Sequence, residues 1–227
     1  GSHMKYLIVG GVAAGTKAAA KLKRCDRSAE VLVVTKGEDI SYAGCGLPYY
    51  IGGDIKTRSE LIVNTPAAYE GLTGATVRTG CEAVALDAAA HAVTVREKDG
   101  SEHVEGYDKL VIATGASPFV PGVPGTDLGG VFCVRTPDDA EAIRNRVDAG
   151  ARIRDYMEKN GCRRAVVVGA GFIGLEVAEN LLSRGLNVTV IDAASQVMPN
   201  AFDPEMAGFV TRKLREAGMR VLVNTAL

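Results

Sequence analysis

The apolar positions of this chain fall into one pattern that occurs twice. Tyr6-Leu7-Ile8-Val9 is a short apolar run, Gly10 to Gly15 follows it, and an Ala/Lys/Leu-rich segment continues to Lys23. Ala165–Val168, Gly169–Gly174 and a helical segment to Ser183 repeat that order. A short apolar run closed by glycine reads as a buried strand, and the segment after it as a helix. Each helix leads to a second apolar strand, Val31–Val34 and Val188–Ile191, so the chain carries a βαβ unit twice.

Between the two units the pattern changes to short alternating runs. Glu82–Leu86, Ala92–Glu97 and Glu102–Tyr107 read as strands of a small meander, with Asp99-Gly100 as a hairpin turn. Lys109–Ala113 reads as a further buried strand that ends at Thr114-Gly115. The Pro/Gly-rich stretch Ser117–Gly130 reads as a linker, and Pro137–Val147 and Ala151–Asn160 as two helices. Pro204–Ala217 and Arg220–Val223 add a helix and a strand. The predicted fold is α/β, with two Rossmann-like dinucleotide-binding domains, residues 4–118 and 119–227, and a small β-meander in the first. The second unit supplies fewer strands than a nucleotide-binding sheet normally has, so a longer parent chain is expected.

Composition narrows the function classes. The chain has 227 residues, 47% of them hydrophobic, and a formal net charge of -1. That balance gives no footing for nucleic-acid binding or a polybasic membrane surface. No apolar run approaches the ~18 residues of a membrane span, and the Tyr6–Val9 run is too short for a secretory leader. Gly1-Ser2-His3 reads as an expression-tag scar ahead of Met4. The five cysteines lack paired spacing, which argues against a disulfide framework or a metal site and points to a reducing cytoplasm.

The glycine turns carry the first chemistry. In a strand–turn–helix unit, glycines let the backbone bend and approach a pyrophosphate, and the N–H groups at the helix start face it. Gly169, Gly171 and Gly174 have the full G-x-G-x-x-G spacing, and Asp192 ends the next strand, where an acid accepts hydrogen bonds from adenosine ribose hydroxyls. An acid there repels the extra phosphate of NADP, so NAD(H) is expected. The first turn keeps Gly10 and Gly15 but has Val12 in the middle, and Thr35-Lys36 stands where the acid would be. The bland alternative for either turn is packing alone.

The segment Ser41-Tyr42-Ala43-Gly44-Cys45-Gly46-Leu47-Pro48-Tyr49-Tyr50-Ile51-Gly52-Gly53 is the most unusual in the chain. Pro48 suits the first turn of a helix, which sets Cys45 at or just before its start. Unpaired N–H groups at a helix start favour a thiolate. The flanking glycines leave the sulfur accessible to a flat ring or a bulky substrate; the plain alternative is a buried structural cysteine, the commonest fate of a cysteine, and Gly44 and Gly46 argue against mere packing.

With these motifs in place, the sequence resembles the pyridine nucleotide-disulfide oxidoreductases from Met4 to Leu227. It is most similar to their single-cysteine branch of coenzyme A-disulfide reductases, NADH oxidases, NADH peroxidases and persulfide reductases. Ser41–Gly53 is the most specific motif, and Ala113-Thr114-Gly115 and Gly169–Glu176 agree with it. The resemblance implies FAD at Gly10, Val12, Ala13, Ala14 and Gly15. It sets Thr35 and Lys36 near the adenosine ribose, Val84 near the adenine through its backbone, and Ala113, Thr114 and Gly115 on the flavin side. It implies NAD(H) at Gly169, Gly171, Phe172, Ile173 and Gly174, with Phe172 near the flavin face and Glu176 near the nicotinamide. Cys45 is then the redox residue, and a homodimeric parent is implied. Gly46–Ile51 contains no second cysteine, so an adjacent Cys–Cys cycle is excluded and the partner sulfur or oxidant is external. Thr35 departs from the family's strand-end acid.

Lys17, Lys21 and Arg24 lie at i, i+4 and i+7, on one helix face suited to the phosphates of coenzyme A, although a solvated basic face is the plain alternative. The resemblance adds Ser41 and Gly44 to that substrate set. It also makes Ala13 informative, because peroxidases and oxidases of the branch typically carry a histidine there, and its lack favours thiol or persulfide chemistry. His91 and His103 are expected exposed in the meander, Cys25, Cys81, Cys133 and Cys162 as packing or surface residues, and the charged Arg152–Lys159 run as a solvated helix face. The expected function is an FAD-dependent NADH reductase of coenzyme A disulfide or of a CoA persulfide or polysulfide. The alternatives are an NADH oxidase or peroxidase working through a sulfenic acid, and a nucleotide-binding fragment without turnover.

Overall fold

The computed structural model describes residues 3–11, 14–114, 122–152 and 163–227. Two bodies make up the chain, one of Gly1–Ala43 with Ile62–Ser117 and the other of Gly44–Leu61 with Pro118–Leu227.

The first body is built on a parallel sheet. Its strands are β1 (Lys5–Val9), β2 (Glu30–Val34), β3 (Thr76–Arg78) and β7 (Lys109–Ile112), in the spatial order β3-β2-β1-β7. Lys5 pairs with Glu30 and Val9 with Val34, while Tyr6 pairs with Lys109 on the other side. The order reverses at β1, which places a crevice at the carboxyl ends of β1 and β7, where open α/β sheets bind ligands.

Successive side chains of a strand point to opposite faces, so both faces of this sheet are covered. Ile8, Val31 and Val33 pack with Ala19 of α1 (Ala14–Cys25) and Tyr69 of α3 (Pro66–Thr73). Leu7, Leu32 and Val34 pack instead with Cys81, Val93 and Val95, the two valines lying on β5 (Ala92–Arg96) of the meander. That meander is antiparallel, β4 (Glu82–Asp87), β5 and β6 (Glu102–Gly106), and gives the body three layers. The hairpin falls where the sequence placed it, with Gly100 at φ 86° and the Glu97 N–H donating to the Ser101 carbonyl at 2.8 Å.

α3 and β3 were not legible in the hydrophobic pattern. Local chemistry makes α3: Thr65 caps it by accepting the Ala68 N–H at 3.2 Å, Pro66 opens it, and Gly74 at φ 78° closes it. The Tyr69 hydroxyl donates to the Thr16 carbonyl at 2.6 Å and ties α3 to α1. Burial raises the Tyr69 pKa against the opposing hydrogen bonds.

The second body holds a parallel sheet of β8 (Arg164–Val168), β9 (Asn187–Ile191) and β10 (Arg220–Leu222), in the order β10-β9-β8. α5 (Phe172–Ser183) follows β8, and α6 (Pro204–Glu216) leads to β10. Val188, Val190, Val221, Val177, Ala178, Leu181 and Leu214 are buried there. Ala165–Val168 reads as a buried strand in the sequence, but Val166 and Val168 are exposed on one face of β8.

Two further expectations change. α4 (Pro137–Arg152) runs unbroken across Ala149-Gly150, where two helices were predicted. A mid-helix glycine costs only about 1 kcal/mol, and the start is firmly set by the reciprocal bonds of Thr136 and Asp139. The second predicted helix beyond Arg152, the Arg152–Lys159 run after its first residue, and Cys162 lie outside the described residues, as does the first part of the predicted linker. The other change concerns the cysteine segment. Residues 44–61, read as part of a first domain spanning 4–118, pack with the second body through α2 (Leu47–Gly52).

Candidate active site

The first and last glycines of the two turns are placed alike. The Gly10 N–H donates to the Val34 carbonyl at 2.8 Å, and the Gly169 N–H donates to the Ile191 carbonyl at 2.8 Å. Gly10 sits at φ 101° and Gly169 at φ 102°, a region that favours glycine. A Cβ on Gly15 would collide with the Gly10 carbonyl oxygen, and one on Gly174 with the Gly169 carbonyl oxygen. The last glycine of each turn is therefore required by helix–strand packing.

Gly171 is different. Its φ of -81° and ψ of -174° suit any residue, and a Cβ on it would meet nothing within 4 Å. Neither strain nor packing requires glycine here, and it caps α5 with no side-chain hydrogen bond to the first N–H groups, which lack partners within the helix. An open space over a helix start, kept free of side chain, fits a pyrophosphate. Asp192 completes this set. One carboxylate oxygen accepts the Ala170 N–H at 2.8 Å and the other accepts the Ala194 N–H at 2.8 Å. A cavity of about 340 Å³ opens beside it, lined by Val123, Val168, Gly169, Asp192, Ala193 and Thr225 among others. The residues present fit a dinucleotide. Phe172 and Ile173 are exposed at the start of α5, Phe172 edge-on to Phe202 at 6.3 Å between ring centres, and Glu176 lies one turn further along, half-buried.

In the first body, Val12, Ala13 and Gly115 lie outside the described residues. The remaining predicted cofactor residues gather at the crevice. A Cβ on Gly10 would run into the Ala113 backbone and stand 2.7 Å from the Thr114 nitrogen, and the Ala113 N–H donates to the Val9 carbonyl at 2.7 Å. The Ala113-Thr114 turn therefore lies directly against the glycine turn. Ala14 is exposed at the start of α1. Thr35 occupies the position that Asp192 holds in the second body. It is buried, and a Cβ on Gly11 would stand 3.1 Å from its Oγ1. Lys36 is exposed and pairs with Glu82 at 3.6 Å. Val84 stands at a β-bulge, where the β4–β5 register shifts between Ala83 and Ala85. A bulged residue keeps its backbone groups out of the ladder, and Val84 turns toward an apolar cavity of about 300 Å³ shared with Val9, Leu110, Ile112 and Thr114. This crevice fits an adenine and a pyrophosphate of a second dinucleotide, with neutral Thr35 in place of an acid.

Cys45 is exposed, in the single 3-10 turn Gly44–Gly46 that runs directly into α2. Pro48 lies in the first turn of α2, and Leu47, Pro48, Tyr50 and Ile51 are buried behind it. A Cβ on Gly44 would meet nothing within 4 Å, so the glycine leaves space beside the sulfur. Of the predicted substrate residues, Lys17, Lys21 and Arg24 are exposed together on α1, and Ser41 is half-buried with its carbonyl accepting the Val63 N–H at 3.0 Å. Gly44 belongs to the other body.

The remaining cysteines and histidines are placed differently. Cys25 is exposed and Cys133 half-buried. Cys81 is buried, its thiol donating to the Glu97 carboxylate at 3.0 Å, and burial, reinforced by that carboxylate, pushes its pKa up to about 11. His91 is exposed and stacks on Tyr107 at 5.3 Å. His103, expected exposed, is half-buried between the carboxylates of Glu97 at 3.3 Å and Glu105 at 3.1 Å. Burial raises the Glu105 pKa, but Lys5 at 3.0 Å and Arg78 outweigh it and hold the carboxyl low. Sequence reasoning missed the supports of α2. Gly52-Gly53 and an asparagine inside the apolar stretch of α5 were the available signals.

A family model described as "Pyridine nucleotide-disulphide oxidoreductase" matches residues 4–227. The chain is 39% identical over 224 residues to an NADH oxidase of Methanocaldococcus jannaschii, a match spanning 99% of this chain and 48% of that protein. It is 36% identical to an NAD(P)H coenzyme A polysulfide/persulfide reductase of Pyrococcus horikoshii, covering 93% of this chain and 44% of that protein. A solved NAD-dependent persulfide reductase from A. fulgidus superposes with a TM-score of 0.88 at 38% identity, covering 98% of this chain and 40% of that one. The chain thus spans less than half the length of these relatives.

Proposed function

This chain belongs to the pyridine nucleotide-disulphide oxidoreductase family, and on that premise we propose that its parent is an FAD-dependent NADH oxidoreductase that reduces coenzyme A disulfide or a CoA persulfide or polysulfide through Cys45. The exposed Cys45, set between two glycines in the turn ahead of α2, is the observation that carries this reading. Names of relatives that act on CoA-linked sulfur support it.

Each body takes one dinucleotide. The turn Gly10–Gly15, Ala113-Thr114, Thr35, Lys36 and the bulged Val84 hold FAD. Gly169, Gly171 and Gly174 receive the pyrophosphate of NAD(H), and Asp192 receives its ribose hydroxyls. Phe172, Ile173 and Glu176 border the nicotinamide end. When bound, the flavin supplies the two-electron relay between NADH and sulfur.

Cys45 supplies the sulfur chemistry. Its thiolate attacks one sulfur of the disulfide, the S–S bond of the substrate breaks, and a Cys45–substrate disulfide forms while the departing thiolate takes a proton. Two electrons from NADH then cleave that bond and restore Cys45. The sum is RSSR + NADH + H⁺ → 2 RSH + NAD⁺. Lys17, Lys21 and Arg24 attract the phosphates of the CoA group. The parent works in the cytoplasm as a homodimer, and this chain alone turns over slowly.

The test is a visible spectrum of the purified chain, with FAD supplied, before and after anaerobic NADH. Bleaching of a flavin spectrum, followed by a long-wavelength thiolate band that Cys45→Ser abolishes, supports the reading. A chain that takes up no FAD overturns it for these residues. The similarity to an NADH oxidase keeps a second reading, in which Cys45 cycles through a sulfenic acid. NADH consumption that requires peroxide or oxygen and yields no thiol selects it.

A further inference from the structure

The short helix behind Cys45 is held from the far side by Asn180 of α5 and by Arg184, the residue that caps the end of that helix. Asn180 is buried, its Nδ2 donating to the Glu176 carbonyl at 2.8 Å, and its Oδ1 faces Gly52 at the end of α2. A Cβ on Gly52 would collide with that oxygen and stand 2.8 Å from Cγ. One turn later, Arg184 donates through Nη1 to the Ile51 carbonyl at 3.1 Å and pairs through Nη2 with Asp148 of α4. Ile51 lies in the last turn of α2, whose carbonyls lack helical partners.

α4 adds a second grip. Arg144 donates to the Ile55 carbonyl at 2.9 Å, and its guanidinium lies 4.4 Å from the centre of the Tyr50 ring. Arg58 pairs with Asp138 at 2.6 Å and Glu141 at 2.5 Å. A six-residue helix has no stability of its own, so these contacts decide whether α2, and with it the Gly44–Gly46 turn, holds one conformation. Glu176 and Asn180 are spaced i and i+4 on α5, the helix that starts at the Gly169–Gly171 turn, and Arg184 follows as its C-cap.

We propose that Asn180 and Arg184 are positioning residues for Cys45: they fix α2 against α5 and so present the sulfur in its reactive placement. This rests on the reading of Cys45 as the redox thiol. Loosening α2 spreads Cys45 over conformers other than the presented one and slows its reaction, as misplaced reactive groups generally do.

The experiment follows Cys45 itself. The full 227-residue chain is treated with iodoacetamide, and labelling of Cys45, Cys25 and Cys81 is quantified separately by peptide mass spectrometry. Exposed Cys25 is the internal reference, buried Cys81 reports opening of the first body, and a thermal melt of each variant reports the fold of the second. Asn180→Ala and Arg184→Ala are expected to slow Cys45 relative to Cys25 by about threefold or more and to speed hydrogen exchange at the Gly53 and Ile55 amides, with Cys81 still protected. Arg184→Lys, which keeps a donor and a charge, restores part of the rate. Gly52→Ala slows Cys45 in the same way, and Asn180→Ala added to it relieves the collision and recovers part of the rate. If either alanine variant fails to fold, the lysine variant and the Gly52→Ala pair decide the matter. An unchanged Cys45:Cys25 ratio in the folded variants, or a loss that Arg184→Lys and the double variant do not relieve, overturns the proposal. Cys45→Ser that leaves NADH-driven sulfur reduction intact overturns the redox reading alone, because the labelling ratio needs no cofactor.

Discussion

One carboxylate oxygen of Asp192 accepts the backbone N–H of Ala170 at 2.8 Å, so the acid that ends β9 is fastened to the glycine turn beside it. Removing the carboxylate frees that N–H and the Ala194 N–H together. Asp192→Ala is expected to cost about 1–3 kcal/mol of stability and to raise KM for NADH about tenfold or more, through loss of a charged hydrogen-bond acceptor. The preference for NADH over NADPH falls with it. Steady-state kinetics with both nucleotides, beside a denaturant titration, separate the two effects.

Gly171 and Gly174 make a paired test. Gly171→Ala introduces a methyl into open space at an unstrained backbone, so the melting temperature stays near the parent's while NAD(H) binding weakens. Gly174→Ala drives a methyl into the Gly169 carbonyl and destabilises by about 1–3 kcal/mol. Calorimetric titration with NADH and thermal melts of both variants should show opposite patterns. Equal loss of stability in the two would remove the case for a ligand at Gly171.

The basic face of α1 predicts a substrate-specific effect. Lys17→Glu with Lys21→Glu is expected to raise KM for coenzyme A disulfide strongly. KM for a small uncharged disulfide should move little. Added salt should weaken the parent in the same selective way. An equal rise for both substrates would show that the face does not contact phosphates.

Cys81 sets a pH dependence of stability. Its folded pKa of about 11 lies above the ordinary thiol value of 9.0. The folded chain therefore holds its proton longer than the unfolded chain, and the stabilisation present below pH 9.0 is lost as the pH rises toward about 11. Cys81→Ala should flatten that loss in denaturant titrations at pH 8 and pH 10.5. The same thiol should resist iodoacetamide at pH 8 while Cys25 reacts.

At low pH the sign reverses. Glu105 is held below its ordinary value despite its burial, by Lys5 and Arg78. Its contribution is complete above the ordinary carboxyl range and is lost as the pH falls through its lowered folded value. Glu105→Gln should make unfolding less dependent on acid, which titrations from pH 6 downward would register.

The doubled βαβ unit was legible because glycines at fixed spacing after an apolar run have few other uses. Gly10 and Gly15, like Gly169 and Gly174, stand where the spacing placed them, and Asp192 reached its place because strand, turn and acid are all local. α3 was missed although Thr65-Pro66 and Gly74 marked its ends, since eight residues carry too little period to stand out. α4 was divided at Ala149-Gly150 because composition there resembles a stop, while the helix had a strong cap and packing to carry it through. The Val84 bulge depends on a cross-strand register that the order of residues does not reveal. The packing of residues 44–61 on α4 and α5 was illegible for the same reason. Asn180 meets Gly52 across a long separation in the chain, and although each stands out a little in its own neighbourhood, nothing in the order of residues pairs the two.

That separation bears on how the protein is made. The helix behind Cys45 leaves the ribosome well before Asn180 and Arg184 exist. At ~5–20 residues per second the wait is on the order of ten seconds. Through that interval α2 has no partner and its cysteine belongs to an unfolded segment of the nascent chain. The Cys45 sulfur is thus open to stray oxidation during synthesis, before α4 and α5 arrive to hold α2. A slow stretch of translation downstream of residue 61 would lengthen that exposure, and changes in codon speed between residues 61 and 184 would alter the yield of protein with Cys45 reduced, without altering a single residue.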